Sequence, residues 1–292
     1  MSESLVTTRS LGKRFGNKSV LHDISLSVAP GSVVGIIGKN GAGKTTLLEI
    51  LLGFSPASNG RAELFGEDSF ALSSASKTRI GFVPQQDELI NLLTGRQQLA
   101  LIAALRGRWN APLIERLQEI WEVPLDRLIQ SLSGGERQKL STLAALGHDP
   151  DLLVLDEPVA SLDPIARRRF LQEMIALTQE RTRTVLFSTH IVSDLERIAD
   201  QIWILRGGTI AWAGPLDVLQ ESVVRLNITA RQPLPRELPL SGCLSQQVAG
   251  VRASAVVSNW NAQLQGQLQE QFAAEIQVEP LGLEDIFVEF HT

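Results

Sequence analysis

Gly38-Lys39-Asn40-Gly41-Ala42-Gly43-Lys44-Thr45-Thr46 is the stretch that decides the fold of this chain. The apolar run Val33-Val34-Gly35-Ile36-Ile37 leads into it, and Leu47-Leu48-Glu49-Ile50-Leu51-Leu52 leaves it. That order reads as a short buried strand, a glycine-rich turn and a helix, the setting in which a phosphate-binding loop is credible. The glycines let successive backbone N–H groups converge on one point, and the new helix adds the positive end of its dipole. Lys44 is placed to reach the β- and γ-phosphates of a nucleoside triphosphate, and the Thr45 hydroxyl to ligate Mg²⁺. An ordinary strand-to-helix turn would share the glycines but would have no need of Lys-Thr after the last of them.

Working outward, Leu5-Val6-Thr7-Thr8 reads as a first strand, and Ile24, Leu26 and Val28 alternate in a second. Phe15, in Lys13-Arg14-Phe15-Gly16, fits either a packing aromatic beside a turn or a platform on which adenine stacks. Downstream, Arg61 to Phe65 and Arg79 to Val83 are further strands, the latter stopped by Pro84 ahead of Gln85. From there to about residue 145 the pattern is helical. Thr94 and Gln97 have capping-box spacing, and Leu113, Ile114, Leu117, Ile120 and Trp121 recur at helical spacing before Pro124.

Leu132-Ser133-Gly134-Gly135-Glu136 carries a second capping box through Ser133 and Glu136. Gly134 and Gly135 weaken a helix start by about 1 kcal/mol each, so they need a reason. Close approach of the backbone to an anionic ligand supplies one. Leu152-Leu153-Val154-Leu155-Asp156-Glu157-Pro158 is a buried parallel-type strand that ends in two acids. Carboxylates there are costly unless they meet a cation or a polar ligand. Asp156 suits Mg²⁺ held through its water shell, and Glu157 suits polarising an attacking water. Asp163-Pro164 has the form of an N-cap followed by N1 proline. Thr184 to Ser188 is another buried strand, which delivers Thr189-His190 to the edge of the sheet where phosphates are expected.

Ile202-Trp203-Ile204-Leu205 and Thr209-Ile210-Ala211-Trp212 flank Arg206-Gly207-Gly208 as a hairpin, and a short helix to about Glu221 closes this domain. Beyond it lies a strand at Val223 to Ile228, then a connector with Pro233, Pro235 and Pro239. Val248 to Val257 has room for one more strand, Asn261 to Phe272 is Gln-rich and helix-compatible, and Glu275 to Val278 is extended. The expected organisation is an α/β domain over 1–221 with a helical subdomain at about 87–147, followed by a small α+β domain over 222–292.

Composition bounds the rest. The chain of 292 residues is 43% hydrophobic and 20% charged, and its net charge of −5 gives no support for nucleic-acid binding. The single Cys243 excludes an intrachain disulfide. The N-terminus lacks a basic segment followed by an apolar core, and no run approaches the roughly 18 apolar residues of a membrane span. A soluble, cytoplasmic chain is expected.

Taken together and in this order, the motifs resemble the ATP-binding subunits of ABC transporters. Gly38 to Thr45 looks like their Walker A loop, Gln85 like the Q-loop glutamine, and Leu132 to Glu136 like the signature motif. Leu152 to Glu157 resembles Walker B with its catalytic glutamate, Ser161-Leu162-Asp163 the D-loop, and His190 the switch histidine. The match covers roughly residues 5 to 220. It implies a P-loop NTPase fold, ATP and Mg²⁺ as ligands, and roles that spacing alone did not give to Phe15, Gln85, Asp163 and His190. It also implies a head-to-tail homodimer in which Ser133 and Gly135 of one copy meet the γ-phosphate held by Lys44 of the other. Gln85 joins Thr45 and Asp156 as an implied Mg²⁺ contact, and a separately encoded membrane permease becomes the implied partner, with the chain on the inner face of the membrane. The ending Leu281-Gly282-Leu283-Glu284-Asp285-Ile286-Phe287-Val288-Glu289-Phe290 resembles that of a bacterial subgroup serving exporters. Glu136 stands where glutamine is usual and Phe15 where tyrosine is more frequent. Both replacements keep the chemistry, an acid being favourable near a helix N-terminus. The contrasting reading is a soluble ABC ATPase without transport, similar to those of iron–sulfur assembly, which carry a like Ser-Gly-Gly-Glu signature.

Overall fold

The structure is a computed structural model that describes residues 4–178 and 183–292. The chain divides into two compact units, Met1–Ala213 and Gly214–Thr292. The first begins with β1 (Val6–Phe15), β2 (Lys18–Val28), β3 (Val33–Ile37), α1 (Lys44–Leu51), β4 (Asn59–Leu64), β5 (Glu67–Asp68), α2 (Ser74–Lys77) and β6 (Ile80–Val83). A helical stretch follows, α3 (Gly95–Arg106), α4 (Ala111–Ile120) and α5 (Gly134–Leu146). The chain then returns through β7 (Leu152–Asp156), α6 (Pro164–Thr178), β8 (Thr184–Thr189), α7 (Val192–Leu195), β9 (Gln201–Arg206) and β10 (Thr209–Pro215).

Every residue of β3, β7 and β8 is buried, as expected of strands covered on both faces. They lie in a six-stranded sheet of order β10-β9-β3-β8-β7-β6. The pairings of β3 with β8 and β9, and of β7 with β6 and β8, are all parallel. Gly31 N–H also donates to Thr184 Oγ1 at 2.9 Å, joining positions 153 residues apart. A second, antiparallel sheet has the order β2-β1-β4-β5. Its inner residues, among them Val6, Leu11, Ile24 and Leu64, share one core with Leu47, Leu48 and Ile50 of α1 and with Val34, Leu186 and Trp203 of the parallel sheet. Burying α1 this way is what holds the phosphate loop at its N-terminus in place.

The first strand runs seven residues past the Thr8 at which its apolar alternation stops. Register shifts between Thr8 and Leu11, and again around Lys13, break the period of two, with Ser10 in the left-handed region at φ 44°. The expected helical subdomain is present. Its α3 opens on the Thr94 capping box, where Thr94 Oγ1 accepts from Gln97 N–H at 3.2 Å and Gln97 Oε1 from Thr94 N–H at 2.9 Å. Thr94→Ala is expected to cost about 1 kcal/mol. That lowers the melting temperature by roughly 2–4 °C in a domain of this size, and an unshifted calorimetric transition would show the cap to be idle. After α4 the chain turns at Glu122 (φ 54°), and Trp121 stacks on Phe170 of α6 with ring centroids 5.1 Å apart.

The second unit holds α8 (Leu216–Ser222), β11 (Val224–Ala230), β12 (Cys243–Ala249), β13 (Arg252–Val257), α9 (Ala262–Phe272), β14 (Ala274–Pro280) and α10 (Leu283–Glu289). Its strands form an antiparallel sheet of order β12-β13-β11-β14. Val224, Leu226 and Ile228 of β11 share a core with Leu268 of α9 and Ile276 of β14, and Ala230 is also buried. Two details depart from expectation. The span from Val248 to Val257 is a β12–β13 hairpin and not one strand, because Gly250 (φ 64°) turns the chain. The helix expected to close the first domain counts with the second unit, where Trp260 N–H donates to the Ser222 carbonyl at 2.9 Å.

Candidate functional site

The carboxyl ends of β3, β8 and β7 sit side by side, so the residues that follow these strands share one edge. Beyond β3, the loop turns into α1 through Gly43, whose φ of 105° suits glycine. A Cβ there would also lie 2.6 Å from Leu21 Cδ2. A cleft of about 400 Å³ opens over this loop, with Asn40, Gly41, Ala42, Gly43, Lys44, Thr45 and Thr46 in its wall together with Gln85 and Glu157. Gly38 lies just beneath, buried, its carbonyl accepting from Lys44 Nζ at 2.7 Å.

Lys44 Nζ also stands 3.6 Å from Glu157 Oε1, both side chains being nearly inaccessible. Thr45 Oγ1 donates to Asp156 Oδ2 at 2.8 Å, and Ser188 Oγ donates to Asp156 Oδ1, so both oxygens of this 1%-exposed carboxylate are oriented. Glu157 is a non-glycine residue at φ 52°, a conformation that persists only where the surroundings hold it. They do so here. Its N–H donates to the Ser188 carbonyl at 3.1 Å and lies 3.2 Å from Ser188 Oγ. Its Oε2 accepts from His190 N–H at 3.2 Å and lies 2.7 Å from His190 Nδ1. Because a carboxylate accepts only, that contact places an imidazole proton on Nδ1. His190 is half exposed and Glu157 buried, so the pair spans the boundary between sheet interior and cleft.

Gln85 follows β6 and Pro84, with an exposed side chain that borders the cleft and also a neighbouring groove containing Thr45, Phe54, Phe82 and Asp156. Thr45, Asp156 and Gln85 therefore offer a hydroxyl, a carboxylate and an amide oxygen around one region. This is a hard, oxygen-only donor set of the kind Mg²⁺ takes when phosphates and waters complete its shell. Phe15 ends β1 opposite Lys18, which lines the cleft, while Phe15 itself is 51% exposed and outside the cleft wall. Lys13 Nζ lies 4.8 Å from the centre of its ring.

Ser133, Gly134, Gly135 and Glu136 open α5 and contribute nothing to the cleft wall. Ser133 Oγ accepts from Glu136 N–H at 3.3 Å, and Glu136 Oε2 accepts from Ser133 N–H at 2.7 Å. That backbone donor holds the Glu136 carboxyl below the usual range, with Arg127 Nη1 at 3.3 Å adding to it. A Cβ on Gly135 would stand 3.1 Å from the Ser161 carbonyl, so this glycine also lets α5 approach the Ser161–Asp163 turn of its own chain. Asp163 caps α6, its Oδ1 accepting from Ile165 and Ala166 N–H at 2.9 and 3.0 Å. These two backbone donors, Ala166 foremost, keep its carboxyl below the ordinary value.

Ser188 is the functional residue that reading the sequence overlooked. It fixes both acids, and its signal was available as a hydroxyl in an otherwise apolar buried strand. Lys18 and Val20 also border the cleft unannounced.

Known proteins resemble this chain in sequence and in fold. A family profile described as ABC transporter matches residues 21–160. The chain is 34% identical to the Nod factor export ATP-binding protein I of Burkholderia orbicola (strain AU 1054), over 78% of this chain and 76% of that one. It is 32% identical to the bacitracin transport ATP-binding protein BcrA of Bacillus licheniformis, over 75% and 72%. Among solved structures, one described as the ATP binding subunit of an ABC transporter superposes with a TM-score of 0.65 at 27% identity, covering 74% of this chain and 92% of that one.

Proposed function

The chain belongs to the ABC transporter family of ATP-binding proteins, and from that premise we propose that it homodimerises head-to-tail and drives a separately encoded membrane exporter. It is an ATP-binding and ATP-hydrolysing subunit. The observation that carries the finer reading is the split of the site. Lys44, Thr45, Asp156, Glu157 and His190 converge on one sheet edge, whereas the Ser133–Glu136 helix end faces elsewhere.

Within the cleft, the N–H groups of Asn40 to Thr46 and Lys44 Nζ take the phosphates, and Phe15 presents a stacking face to the base. Glu157 is positioned as general base, its carboxylate aimed by the two His190 donors. His190 Nε2 and Gln85 are left to sense the γ-phosphate. Thr45, Asp156 and Gln85 would hold Mg²⁺, which would neutralise charge at the phosphates when bound. Asp163 and the α5 N-terminus serve the second copy, where the helix end and the Ser133 hydroxyl meet the γ-phosphate.

No helix among the described residues is long and apolar enough to cross a membrane. A permease must therefore be reached through a surface. The groove beside Gln85 fits that use: Phe54 is 63% exposed there and packs against Phe82 with ring centroids 5.5 Å apart. An exposed aromatic braced by a partly buried one, beside the site, is the kind of patch that docks a partner. Export is supported by the relatives named for Nod factor export and bacitracin transport. The chain then works on the inner face of the membrane through its permease.

Affinity purification of the tagged full chain from detergent-solubilised membranes tests this. A stoichiometric multi-helix membrane protein is expected to co-purify, and Phe54→Asp is expected to release it without altering ATP binding. A purely soluble complex would overturn the transport assignment in favour of a non-transport ATPase.

A further inference from the structure

We infer that Arg137 is a positioning residue that locks the Gln85 loop to the helix end carrying Ser133, so that events in one cleft reach the other. Arg137 lies in the first turn of α5, one residue after Glu136. Its Nε donates to Asp87 Oδ2 at 2.8 Å and its Nη2 to Asp87 Oδ1 at 2.5 Å, a bidentate fork. Its Nη1 donates to Asn91 Oδ1 at 2.8 Å and to the Ile129 carbonyl at 3.0 Å. Asp87 is two residues beyond Gln85.

The pair is only about one-fifth exposed, unlike the ion pair of Arg96 with Asp126 on the surface. Around it the loop is fixed from other sides as well. Asp87 Oδ1 accepts from Leu89 N–H at 3.3 Å, and Ile90 N–H donates to Gln98 Oε1 of α3 at 3.1 Å. Gln85 thus sits at the end of a segment bonded to both α3 and α5. A planar fork transmits a displacement in direction as well as position, which a point charge on lysine does not.

The consequence rests on the reading of Ser133–Glu136 as serving a second copy. When Gln85 follows the γ-phosphate in its own cleft, Arg137 carries that movement to a helix end that completes the partner cleft. The two clefts then respond to ATP together, and Arg137 sets how tightly.

The test compares the full chain with Arg137→Lys, Asp87→Asn and the double variant, recording hydrolysis rate against ATP concentration, binding of a fluorescent ATP analogue, and thermal melting. Arg137→Lys is expected to bind the analogue within twofold of the parent, since the residue is outside the cleft. Its maximal rate is expected to fall roughly three- to thirty-fold, the span of such coupling changes, and its Hill coefficient to drop from near 2 to near 1. Asp87→Asn is expected to do the same, and the double variant no more than either single one, because both act through one fork. A cooperative parent with an equally cooperative Arg137→Lys overturns this inference alone. So does a rate loss that tracks a lowered melting temperature and recovers on cooling. A parent that hydrolyses without cooperativity overturns the two-copy reading and this inference with it.

Discussion

Glu157→Gln is expected to abolish ATP turnover while leaving ATP binding intact. The substitution keeps the side-chain shape and one oxygen able to accept from His190, so the network around Ser188 and His190 persists. What disappears is the carboxylate able to take a proton from water. Removing a positioned general base costs on the order of 10²–10⁴ in rate. The charge lost also lies 3.6 Å from Lys44 Nζ, so the lysine turns more fully toward phosphate and ATP is held at least as tightly. With hydrolysis blocked, size-exclusion chromatography in ATP is expected to show a stable dimer that disperses in ADP. Phosphate release within threefold of the parent would remove Glu157 from the chemistry.

Lys44→Ala acts on the other half of the same contact. Hydrogen bonds to charged groups contribute about 1.5–3 kcal/mol, so ATP affinity is expected to fall roughly 10- to 150-fold, at tenfold per 1.4 kcal/mol. The folded protein also loses the cation nearest a buried carboxylate. Stripping a buried pair of one partner costs about 3–5 kcal/mol when nothing replaces it. Here both His190 donors remain on Glu157, so a smaller loss of stability and a fall of a few degrees in melting temperature are expected. Titration calorimetry separates the two effects. Affinity within threefold of the parent would detach Lys44 from the phosphates.

Both residues were legible in the sequence because their signals are local. Lys44 stands at fixed spacing from Gly38, and Asp156-Glu157 are acids at the end of a run too apolar to carry them idly. The Asp163 cap and the two capping boxes are also three-residue relations, and all three are present in the structure. Ser188 escaped because its role is lateral. It reaches across from β8 to β7, and no periodicity within either strand encodes which strand lies alongside. The long β1 escaped for a related reason: its bulges shift the alternation, while pairing to β2 and β4 on both sides keeps it a strand. In β12, Cys-Leu-Ser-Gln-Gln has weak strand preference, and the ladder to β13 overrides it.

The placement of β8 between β3 and β7 also governs how the molecule comes into being. A nascent chain that ends at Thr178 already contains the phosphate loop and both acids. Until β8 is made, β3 and β7 have an open slot between them, and the Gly31–Thr184 bond must bridge 153 residues. Closing so long a loop costs little more entropy than closing a moderate one, but such pairings form slowly and leave apolar strand edges exposed meanwhile. Val33–Ile37 and Leu152–Asp156, fully buried in the end, are the edges at risk of aggregation. The strand that fills the slot is the same one that delivers Ser188 and His190. Filling the slot and supplying these two site residues are therefore one event, while the far edge of β3 waits for β9.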